Sequence, residues 1–356
     1  MAPLLSVNDL RVTFDTDRGL VRALDGVQFD VNRGETVCLV GESGSGKTVA
    51  CESLTRLVPT PPARLSGMVA FDGRDLLSAE RSVLESIRGN RIAYVFQNPQ
   101  DALDPVYTVG SQLVETIRLH RNVSKKRARR RAMELLDNVG IPNPTERFDE
   151  YPHEFSGGMK QRVVIAMALS CDPDLLVADE PTTALDVTTQ SGILHLLQTL
   201  QAEHDMAILF VTHDLGVVAQ IADRVVVLYA GKVMERGDVF DIFDRPAHPY
   251  TRALLESVPR RGVTPKPIDG SLPDPTDPPE GCRFHPRCSH ATEDCRTGDS
   301  PVVRSVDGDS HEVSCVYYGE GYDMSELSDA DGAHGRANMN QATSRSDTTE
   351  LGSDKR

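Results

Sequence analysis

The stretch that decides the fold is Gly41-Glu42-Ser43-Gly44-Ser45-Gly46-Lys47-Thr48. It fits the spacing G-x-x-x-x-G-K-[ST] of a phosphate-binding loop, whose glycines let the backbone curl until successive N–H groups converge on phosphate oxygens. A strand-like run, TVCLV (36–40), precedes it and a helix-like segment from Lys47 to about Leu57 follows it, which is the context such a loop requires. We predict that Lys47 reaches the β- and γ-phosphates of a nucleotide and that the Thr48 hydroxyl ligates Mg²⁺.

A second stretch, Leu175-Leu176-Val177-Ala178-Asp179-Glu180, is an apolar strand that ends in two adjacent carboxylates. The carboxyl edge of a parallel sheet is where nucleotide-hydrolysing proteins place Mg²⁺ and the attacking water. We therefore predict that Asp179 binds the metal through water and that Glu180 polarises the attacking water as general base. A strand followed by two acidic residues also arises by accident, and only its combination with the phosphate-binding loop makes this prediction strong.

A third stretch begins a predicted helix with a hydroxyl and two glycines in its first turn: Phe155-Ser156-Gly157-Gly158-Met159-Lys160-Gln161-Arg162. The unpaired amides at such a helix start can approach a phosphate closely. In a chain with a single phosphate-binding loop, a second helix start of this kind makes sense if it serves a nucleotide held by another subunit.

Composition excludes several functional classes. The chain has 356 residues and a net charge of −15, which argues against nucleic-acid binding and against electrostatic docking to anionic lipid. The longest apolar runs, at 163–169 and 207–211, are much shorter than the roughly 18–20 residues that cross a bilayer. The N-terminus, MAPLLSVNDL, lacks the charged and apolar regions of a signal peptide. We predict a cytoplasmic protein that contacts a membrane only through a partner.

The order of the predicted elements indicates an α/β fold. Strands at DLLVADE (174–180), MAILFVTHD (206–214) and RVVVLYAG (224–231) alternate with helical segments such as 187–204. This alternation predicts a mainly parallel sheet covered by helices. From about 107 to 170 the pattern is helical instead, which sets this part of the chain off from the rest.

Local signals give further boundaries. Short apolar stretches alternate with polar turns near the N-terminus, and we expect turns at Asp25-Gly26 and Arg33-Gly34. Ser124 is predicted to cap a helix that ends at Gly140. The basic run KKRARRR (125–131) opens this helix, and we interpret it as a solvated face rather than a nucleic-acid site.

The third stretch also resembles the signature sequence of ATP-binding-cassette (ABC) ATPases, which is usually LSGGQ and here is FSGGM. Phe replaces Leu and Met replaces Gln, but Ser156, Gly157 and Gly158, which contact phosphate in that family, are intact. With every expected motif in order, the resemblance spans about residues 4–255.

This resemblance implies a domain organisation. Residues 1–255 are expected to form a P-loop ABC-type nucleotide-binding domain with a mixed sheet core, an N-terminal antiparallel β part and a helical subdomain at about 100–170. Past this domain proline becomes dense, and we expect a loop-rich extension at 256–320. Residues 321–356 have almost no large apolar side chains, so we expect a disordered tail there.

Single residues acquire roles from the same resemblance. Gln97, at the end of IAYVF, matches the Q-loop glutamine that couples Mg²⁺ and water to a transmembrane partner. Asp186, in Ala184-Leu185-Asp186, matches the D-loop, and His213, in VTHD, matches the switch histidine that contacts the γ-phosphate. The aromatic that stacks on adenine is expected at Phe14, with Val21 or Arg22 as alternatives.

The resemblance further implies a head-to-tail pair of subunits that sandwiches two ATP molecules. Each site would join the phosphate-binding loop of one chain to Ser156, Gly157, Gly158 and Met159 of the other. The implied cofactors are ATP and Mg²⁺, with Thr48, Gln97 and Asp179 as the metal's protein ligands.

Within the family, five stretches resemble the ATPases of oligopeptide and dipeptide importers: GESGSGKT, FQNPQDALDP (96–105), YPHEFSGGMKQR (151–162), AHPYTRALL (247–255) and GCRFHPRC (281–288). Asp104 departs from the Asn expected there. The implied partners are two transmembrane permease subunits, an extracytoplasmic substrate-binding protein and a second ATPase subunit, identical or paralogous, at the cytoplasmic face of the membrane. Import of nickel or another solute, or a soluble non-transport ABC ATPase, are the alternatives.

Seven cysteines divide into two groups. Cys38, Cys51 and Cys171 stand singly among apolar neighbours and are predicted to be buried thiols. The other four are clustered: Cys282, Cys288, Cys295 and Cys315. Because disulfides are disfavoured in the cytoplasm, where we expect this protein, these four cysteines are predicted to bind metal. Resemblance to cysteine-bearing extensions of peptide-importer ATPases favours a [4Fe–4S] cluster, with zinc and unmetallated thiols as alternatives.

Overall fold

A computed structural model of the chain describes residues 2–97, 102–183, 185–259, 264–306, 308 and 310–327. The strands are β1 Leu5–Thr16, β2 Gly19–Val31, β3 Thr36–Val40, β4 Ala63–Phe71, β5 Arg74–Asp75, β6 Ile92–Val95, β7 Leu175–Asp179, β8 Ala207–Thr212, β9 Arg224–Tyr229, β10 Lys232–Asp238, β11 Arg304–Ser305 and β12 Glu312–Val313. The helices are α1 Lys47–Ser53, α2 Arg81–Ile87, α3 Val109–His120, α4 Lys125–Asn138, α5 Pro144–Arg147, α6 Gly157–Ala168, α7 Val187–His204, α8 Leu215–Ile221, α9 Val239–Asp244 and α10 Pro249–Glu256. Within these ranges no helix combines the length and the apolar character needed to cross a membrane.

The larger sheet positions the site. Its order over the described residues is β11-β12-β10-β9-β3-β8-β7-β6, and the five strands from β9 to β6 run parallel. Strand β10 returns antiparallel to β9, and β12 pairs antiparallel with β10. Because the central strands are parallel, the carboxyl ends of β3, β7 and β8 meet at one edge of the sheet.

Both faces of this sheet are covered, as the alternation of its side chains shows. In β7, Leu176 and Ala178 face a core shared with α3, α4, α6 and α7. Leu175 and Val177 face the opposite core, which is shared with α1 and the smaller sheet. All four side chains are fully buried, so the strand reads as one continuous apolar run.

The smaller sheet is antiparallel, in the order β2-β1-β4-β5. The predicted turn at Asp25 and Gly26 is wrong, because both residues lie inside β2. Gly26 has φ +83°, and the register with β1 shifts between Asp25 and Val27. A glycine in this conformation accommodates a bulge as readily as a turn, which is why the local sequence suggested one.

Helix boundaries agree with most of the predictions. Ser124 caps α4, its hydroxyl accepting from the N–H of Arg127, and α7 begins and ends where expected. Helix α1 ends at Ser53 rather than near residue 57, because a turn follows. Two arginines of the basic run pair with carboxylates of this chain, Arg129 with Asp149 and Arg131 with Asp172.

The C-terminal extension is loop-rich and docks on the sheet through β12. The fully buried Glu235 of β10 accepts from His311 at 2.8 Å and from the backbone N–H groups of Ala247 and His248 at 2.7 Å each. This carboxylate thereby joins β10, the start of α10 and the extension.

The expectation of disorder from residue 321 onward is wrong at its beginning. Residues Met324–Leu327 form a 3₁₀ turn, and the Leu327 side chain is fully buried in a small apolar cluster with Val313 and Tyr317. Its carbonyl accepts from Arg252 at 2.5 Å. Residues 328–356 lie outside the described part of the chain.

Candidate active site

The phosphate-binding loop joins β3 to α1, and its backbone requires glycine at two positions. Gly41 has φ +154°, and a Cβ there would lie 2.1 Å from the carbonyl oxygen of Leu228. Gly46 caps α1 with φ +103°, and a Cβ there would lie 2.8 Å from the carbonyl oxygen of Ala23. Close packing of the loop against β2 and β9 thus holds its amides at the start of α1.

Lys47 occupies the interior of the loop. Its side chain is buried, and Nζ donates to the carbonyl oxygens of Gly41 and Glu42, each at 2.8 Å. Burial lowers the pKa of Lys47, while the nearby carboxylates of Glu180 and Asp179 oppose that shift. The ammonium therefore lies within electrostatic range of the paired carboxylates at the end of β7.

Asp179 is the last residue of β7 and is buried. Burial raises the pKa of its carboxyl group, and the neighbouring Thr48 hydroxyl acts in the opposite direction. Its Oδ1 atom is buried without a hydrogen-bond partner. An unsatisfied buried carboxylate oxygen next to a hydroxyl suits a hard cation, so these two residues fit the oxygen preference of Mg²⁺.

Glu180 follows with φ +46°, an uncommon conformation for a residue other than glycine. Its Oε1 lies 3.0 Å from Nδ1 of His213, and its Oε2 accepts from Thr183 at 3.0 Å and from Gln97 at 3.2 Å. Burial alone would raise the pKa of Glu180, but these hydrogen bonds outweigh it and lower the pKa below its ordinary value. The carboxylate is consequently ionised and oriented near neutral pH.

The predicted signature residues lie at the exposed start of α6. Ser156 caps this helix by accepting from the N–H of Met159 at 3.3 Å. A Cβ on Gly158 would lie 2.5 Å from Thr189 of α7, so the two helix starts are in close contact. Among the described residues no hydrogen bond joins the signature to the phosphate-binding loop of the same chain, and its action on a partner's nucleotide stays a prediction.

The D-loop residue Asp186 caps α7. Its carboxylate accepts from the N–H groups of Thr188 and Thr189 and from the Thr189 hydroxyl. The Thr189 hydroxyl is the largest cause of the lowered pKa of Asp186. Ala184, two residues earlier in the motif, lies outside the described residues.

Phe14, the predicted adenine-stacking residue, lies on β1 opposite Val21 of β2 and Ala63 of β4. It is half-buried and packs against the core between the smaller sheet and α1. The alternative Arg22 donates its backbone N–H to the carbonyl of Pro275 in the extension. The role of Phe14 in stacking on adenine, with Val21 or Arg22 as alternatives, therefore stays a prediction.

The four clustered cysteines line one small cavity of about 10 Å³ together with His248 and His285. Burial raises the pKa of Cys282 and Cys315 to about 12 and that of Cys288 to about 11.

The structure does not support the predicted metal site. Over the described residues, which include all four of these cysteines, no group of three or more Cys, His, Asp or Glu side chains is arranged to hold a metal ion. Cys38, Cys51 and Cys171 are buried, as predicted.

Three residues of the site were not anticipated. Thr183 lies three residues after Glu180, and its hydroxyl donates to the Glu180 carboxylate. A hydroxyl residue soon after the paired carboxylates could therefore have indicated this contact from the sequence. Tyr250 accepts from the N–H of Glu42 at 3.0 Å, and Arg287 donates to the Glu42 carboxylate at 2.9 Å. These two are 208 and 245 positions away from Glu42, and nothing in the local sequence indicates such contacts.

Comparisons with known proteins identify the family. The family described as ABC transporter matches residues 24–183, and that described as oligopeptide/dipeptide transporter, C-terminal region, matches residues 234–295. The chain is 49% identical over 320 residues to the dipeptide transport ATP-binding protein DppD of Bacillus subtilis (strain 168), covering 88% of this chain and 95% of that relative. It is also 49% identical over 309 residues to the oligopeptide transport ATP-binding protein OppD of the same strain, covering 85% and 86%.

Solved structures agree with this result. The bacterial ABC transporter cassette MJ0796 matches with a TM-score of 0.59 at 30% identity, covering 66% of this chain and 98% of that one. A dimeric post-hydrolysis state of the same cassette, bound to ADP and Pi, matches with a TM-score of 0.59 at 29% identity and the same coverage. The predicted P-loop ABC-type α/β fold, with a mixed sheet and helices, is therefore confirmed. The chain belongs to the ABC transporter family of ATPases, in its oligopeptide/dipeptide transporter branch.

Proposed function

We propose that this chain is the ATP-hydrolysing subunit that powers import of dipeptides or oligopeptides through a membrane permease. The observation that carries the proposal is the position of Lys47, Asp179 and Glu180 at one edge of the parallel sheet, where the buried ammonium lies within electrostatic range of both carboxylates. Relatives at 49% identity are named for dipeptide and oligopeptide transport, which supports peptides as the cargo.

ATP binding would use the phosphate-binding loop and its lysine. Backbone N–H groups of the loop and the Lys47 ammonium would hold the β- and γ-phosphates, whose oxygens would replace the two carbonyls that Lys47 now contacts. Mg²⁺, when bound, supplies charge neutralisation on the phosphates, and the oxygens of Thr48, Gln97 and Asp179 would hold it. The unsatisfied Oδ1 of Asp179 supports this assignment.

Hydrolysis would depend on Glu180 as general base toward the attacking water. Its lowered pKa keeps the carboxylate ready to accept a proton, and its contacts with His213 and Gln97 fix its direction. His213 has a largely exposed ring, so it would be free to approach the γ-phosphate once nucleotide is bound. Positioning and charge neutralisation, rather than covalent chemistry, would supply most of the rate acceleration.

A second copy or a paralogous ATPase subunit would complete each site. The exposed start of α6 at Ser156, Gly157, Gly158 and Met159 would close over the partner's nucleotide, and Asp186 would lie at the same junction. The exposed start of α6 supports this role, because the first N–H groups of a helix have no partners within the helix.

A groove next to Gln97 supports contact with the permease. It has a volume of about 320 Å³ and is lined by apolar side chains that include Tyr94, the exposed Phe96 and Val164. In the proposed assembly, two transmembrane permease subunits bind the ATPase pair at the cytoplasmic face of the membrane, and an extracytoplasmic substrate-binding protein delivers the peptide.

Reconstitution of the chain in liposomes with the two permease subunits tests the function. We expect ATP-driven uptake of dipeptides or oligopeptides, and an ATPase rate that rises when permease and peptide-loaded binding protein are present. Uptake of nickel or another solute in place of peptides would identify a different importer. ATP hydrolysis that ignores the permease would indicate a soluble ABC ATPase.

The iron–sulfur prediction also stays a proposal of ours. The described residues are not arranged to hold a metal ion, but the four thiols line one cavity, and the resemblance to cysteine-bearing extensions of peptide-importer ATPases supports the cluster. A [4Fe–4S] cluster would take all four cysteines as thiolates. Iron and acid-labile sulfide in the anaerobically purified protein would support it, whereas zinc alone, or no metal, would refute it.

A further inference from the structure

The C-terminal part of the chain contacts the outside of the phosphate-binding loop at Glu42. The N–H of Glu42 donates to the Tyr250 hydroxyl at 3.0 Å. Nη1 of Arg287, in the extension, lies 2.9 Å from Oε1 and 3.1 Å from Oε2 of the same residue. Both the backbone and the carboxylate of Glu42 are therefore held from outside the loop, while the carbonyl oxygen accepts from Lys47.

Arg287 is itself fixed in place. Its side chain is only 5% exposed, and its guanidinium also donates to the Tyr229 hydroxyl at 3.3 Å. The remaining N–H groups donate to the backbone carbonyls of Asp269 and Ile268. A buried guanidinium with all of these partners has one defined position, and among the carboxylates of the described residues it forms its ion pair with Glu42.

The charge of Glu42 is the reason that this contact matters. The loop has to accept a triphosphate, and an unpaired carboxylate one residue after Gly41 would repel it. We propose that Arg287 is a positioning residue of the ATP site, supplied by the C-terminal extension, which neutralises Glu42 and so permits tight binding of the triphosphate. This inference rests on the proposed ATP-hydrolysing function and adds a regulatory connection, because undocking of the extension would weaken ATP binding.

A double-mutant cycle separates this role from simple anchoring of the extension. Arg287→Ala is expected to raise KM for ATP about five- to tenfold and to leave kcat within about twofold, because a partly buried charge pair is lost while the hydrolytic groups stay intact. Adding Glu42→Gln to Arg287→Ala should restore most of the affinity, because the repelling charge is gone. If Arg287 only anchored the extension through Asp269 and Ile268, the second change would restore nothing, and that result would overturn the proposal.

If Arg287→Ala folds poorly, the single variant Glu42→Gln tests the charge argument without changing any residue of the extension. It leaves the positive charge of Arg287 beside the loop, so we expect KM for ATP to stay equal or fall; a tenfold rise would refute the charge argument. Arg287→Lys, which keeps the charge, should recover part of the loss. The matched control is Arg296→Ala, an exposed arginine that adjoins Cys295 as Arg287 adjoins Cys288, and it should match the parent.

Binding of a fluorescent ATP analogue to the full-length protein distinguishes failure of this inference from failure of the proposed function. A parent protein that binds and hydrolyses ATP while Arg287→Ala retains the parent KM would leave the proposed function standing and remove this inference. A parent protein that binds no ATP at all would remove the proposed function itself.

Discussion

Glu180 has an unusual backbone conformation, and both oxygens of its carboxylate have hydrogen-bond partners. Its φ of +46° places it in the left-handed region, which costs about 1–3 kcal/mol for a residue of this type and persists only where surrounding contacts fix it. Its N–H donates to the carbonyl of Val211 on β8, and its carboxylate has three partners. These contacts thus hold the carboxylate beside His213, Thr183 and Gln97.

Replacement of Glu180 by Gln tests its role as base. We expect ATP binding to persist and turnover to fall about 10²- to 10⁴-fold, since an amide of the same shape cannot accept the proton. Steady-state ATPase assays with parallel nucleotide-binding measurements check this. The matched control is Glu203→Gln, an exposed carboxylate on α7 that should retain the parent rate. A Glu180→Gln protein that turns over at near the parent rate would refute the assignment.

Asp25, on the β2 bulge, stabilises the folded state through charge. It pairs with Arg283 at 2.8 Å, Lys232 at 3.1 Å and Arg11, and the Arg283 side chain is only 3% exposed. Asp25→Asn should lower the free energy of unfolding by about 2 kcal/mol, because a buried guanidinium loses its counter-charge. Urea denaturation measures this. Asp9→Asn removes only an exposed pair with Arg11 and should change stability by less than about 0.5 kcal/mol.

The stabilisation by Asp25 should disappear in acid. Burial would raise the pKa of Asp25, but its three cationic partners outweigh burial and lower it below the ordinary value of 3.8. A group whose pKa is lower in the folded state contributes fully above the unfolded-state pKa and loses that contribution as the pH falls through the folded-state pKa. The difference between parent and Asp25→Asn should therefore narrow below about pH 4. A constant difference down to about pH 3 would contradict the charge argument.

At the scale of helices, the two serine N-caps of the helical region provide a matched comparison. Ser156→Ala removes the cap of α6, and Ser124→Ala removes the equivalent cap of α4; each should cost about 1 kcal/mol of stability. If the start of α6 acts on the partner's nucleotide, only Ser156→Ala should also reduce ATPase activity, by at least about tenfold. Equal ATPase rates in the two variants would limit Ser156 to a structural role.

Elements set by short-range patterns were predictable from the sequence, and contacts between distant segments were not. The loop before α1, the cap at Ser124 and the paired carboxylates each depend on spacing over a few residues. The bulge at Gly26 was mistaken for a turn because both use the same glycine conformation. Arg287 reaches Glu42 across 245 positions, and only the folded sheet brings the two together.

For the whole molecule, the composite site predicts an association that depends on nucleotide. Glu180→Gln with ATP and Mg²⁺ should give about twice the monomer mass by light scattering, because unhydrolysed ATP keeps both halves of the site occupied. The same variant carrying Ser156→Arg should stay at the monomer mass, since the longer side chain would block the exposed start of α6. Association without nucleotide, or in the double variant, would contradict this assembly.

The short strands β11 and β12 have a consequence for shortened forms of the protein. Strand β12 covers one side of β10, pairing Val313 with Glu235 and Glu312 with Arg236, and β11 pairs with the other side of β12. Without them, the outward backbone groups of β10 would form an open ladder able to recruit a strand from another molecule. A protein cut after α10 would retain Lys47, Asp179 and Glu180 and would lose Arg287, and it would also be prone to aggregate, so its low yield would say nothing about its chemistry.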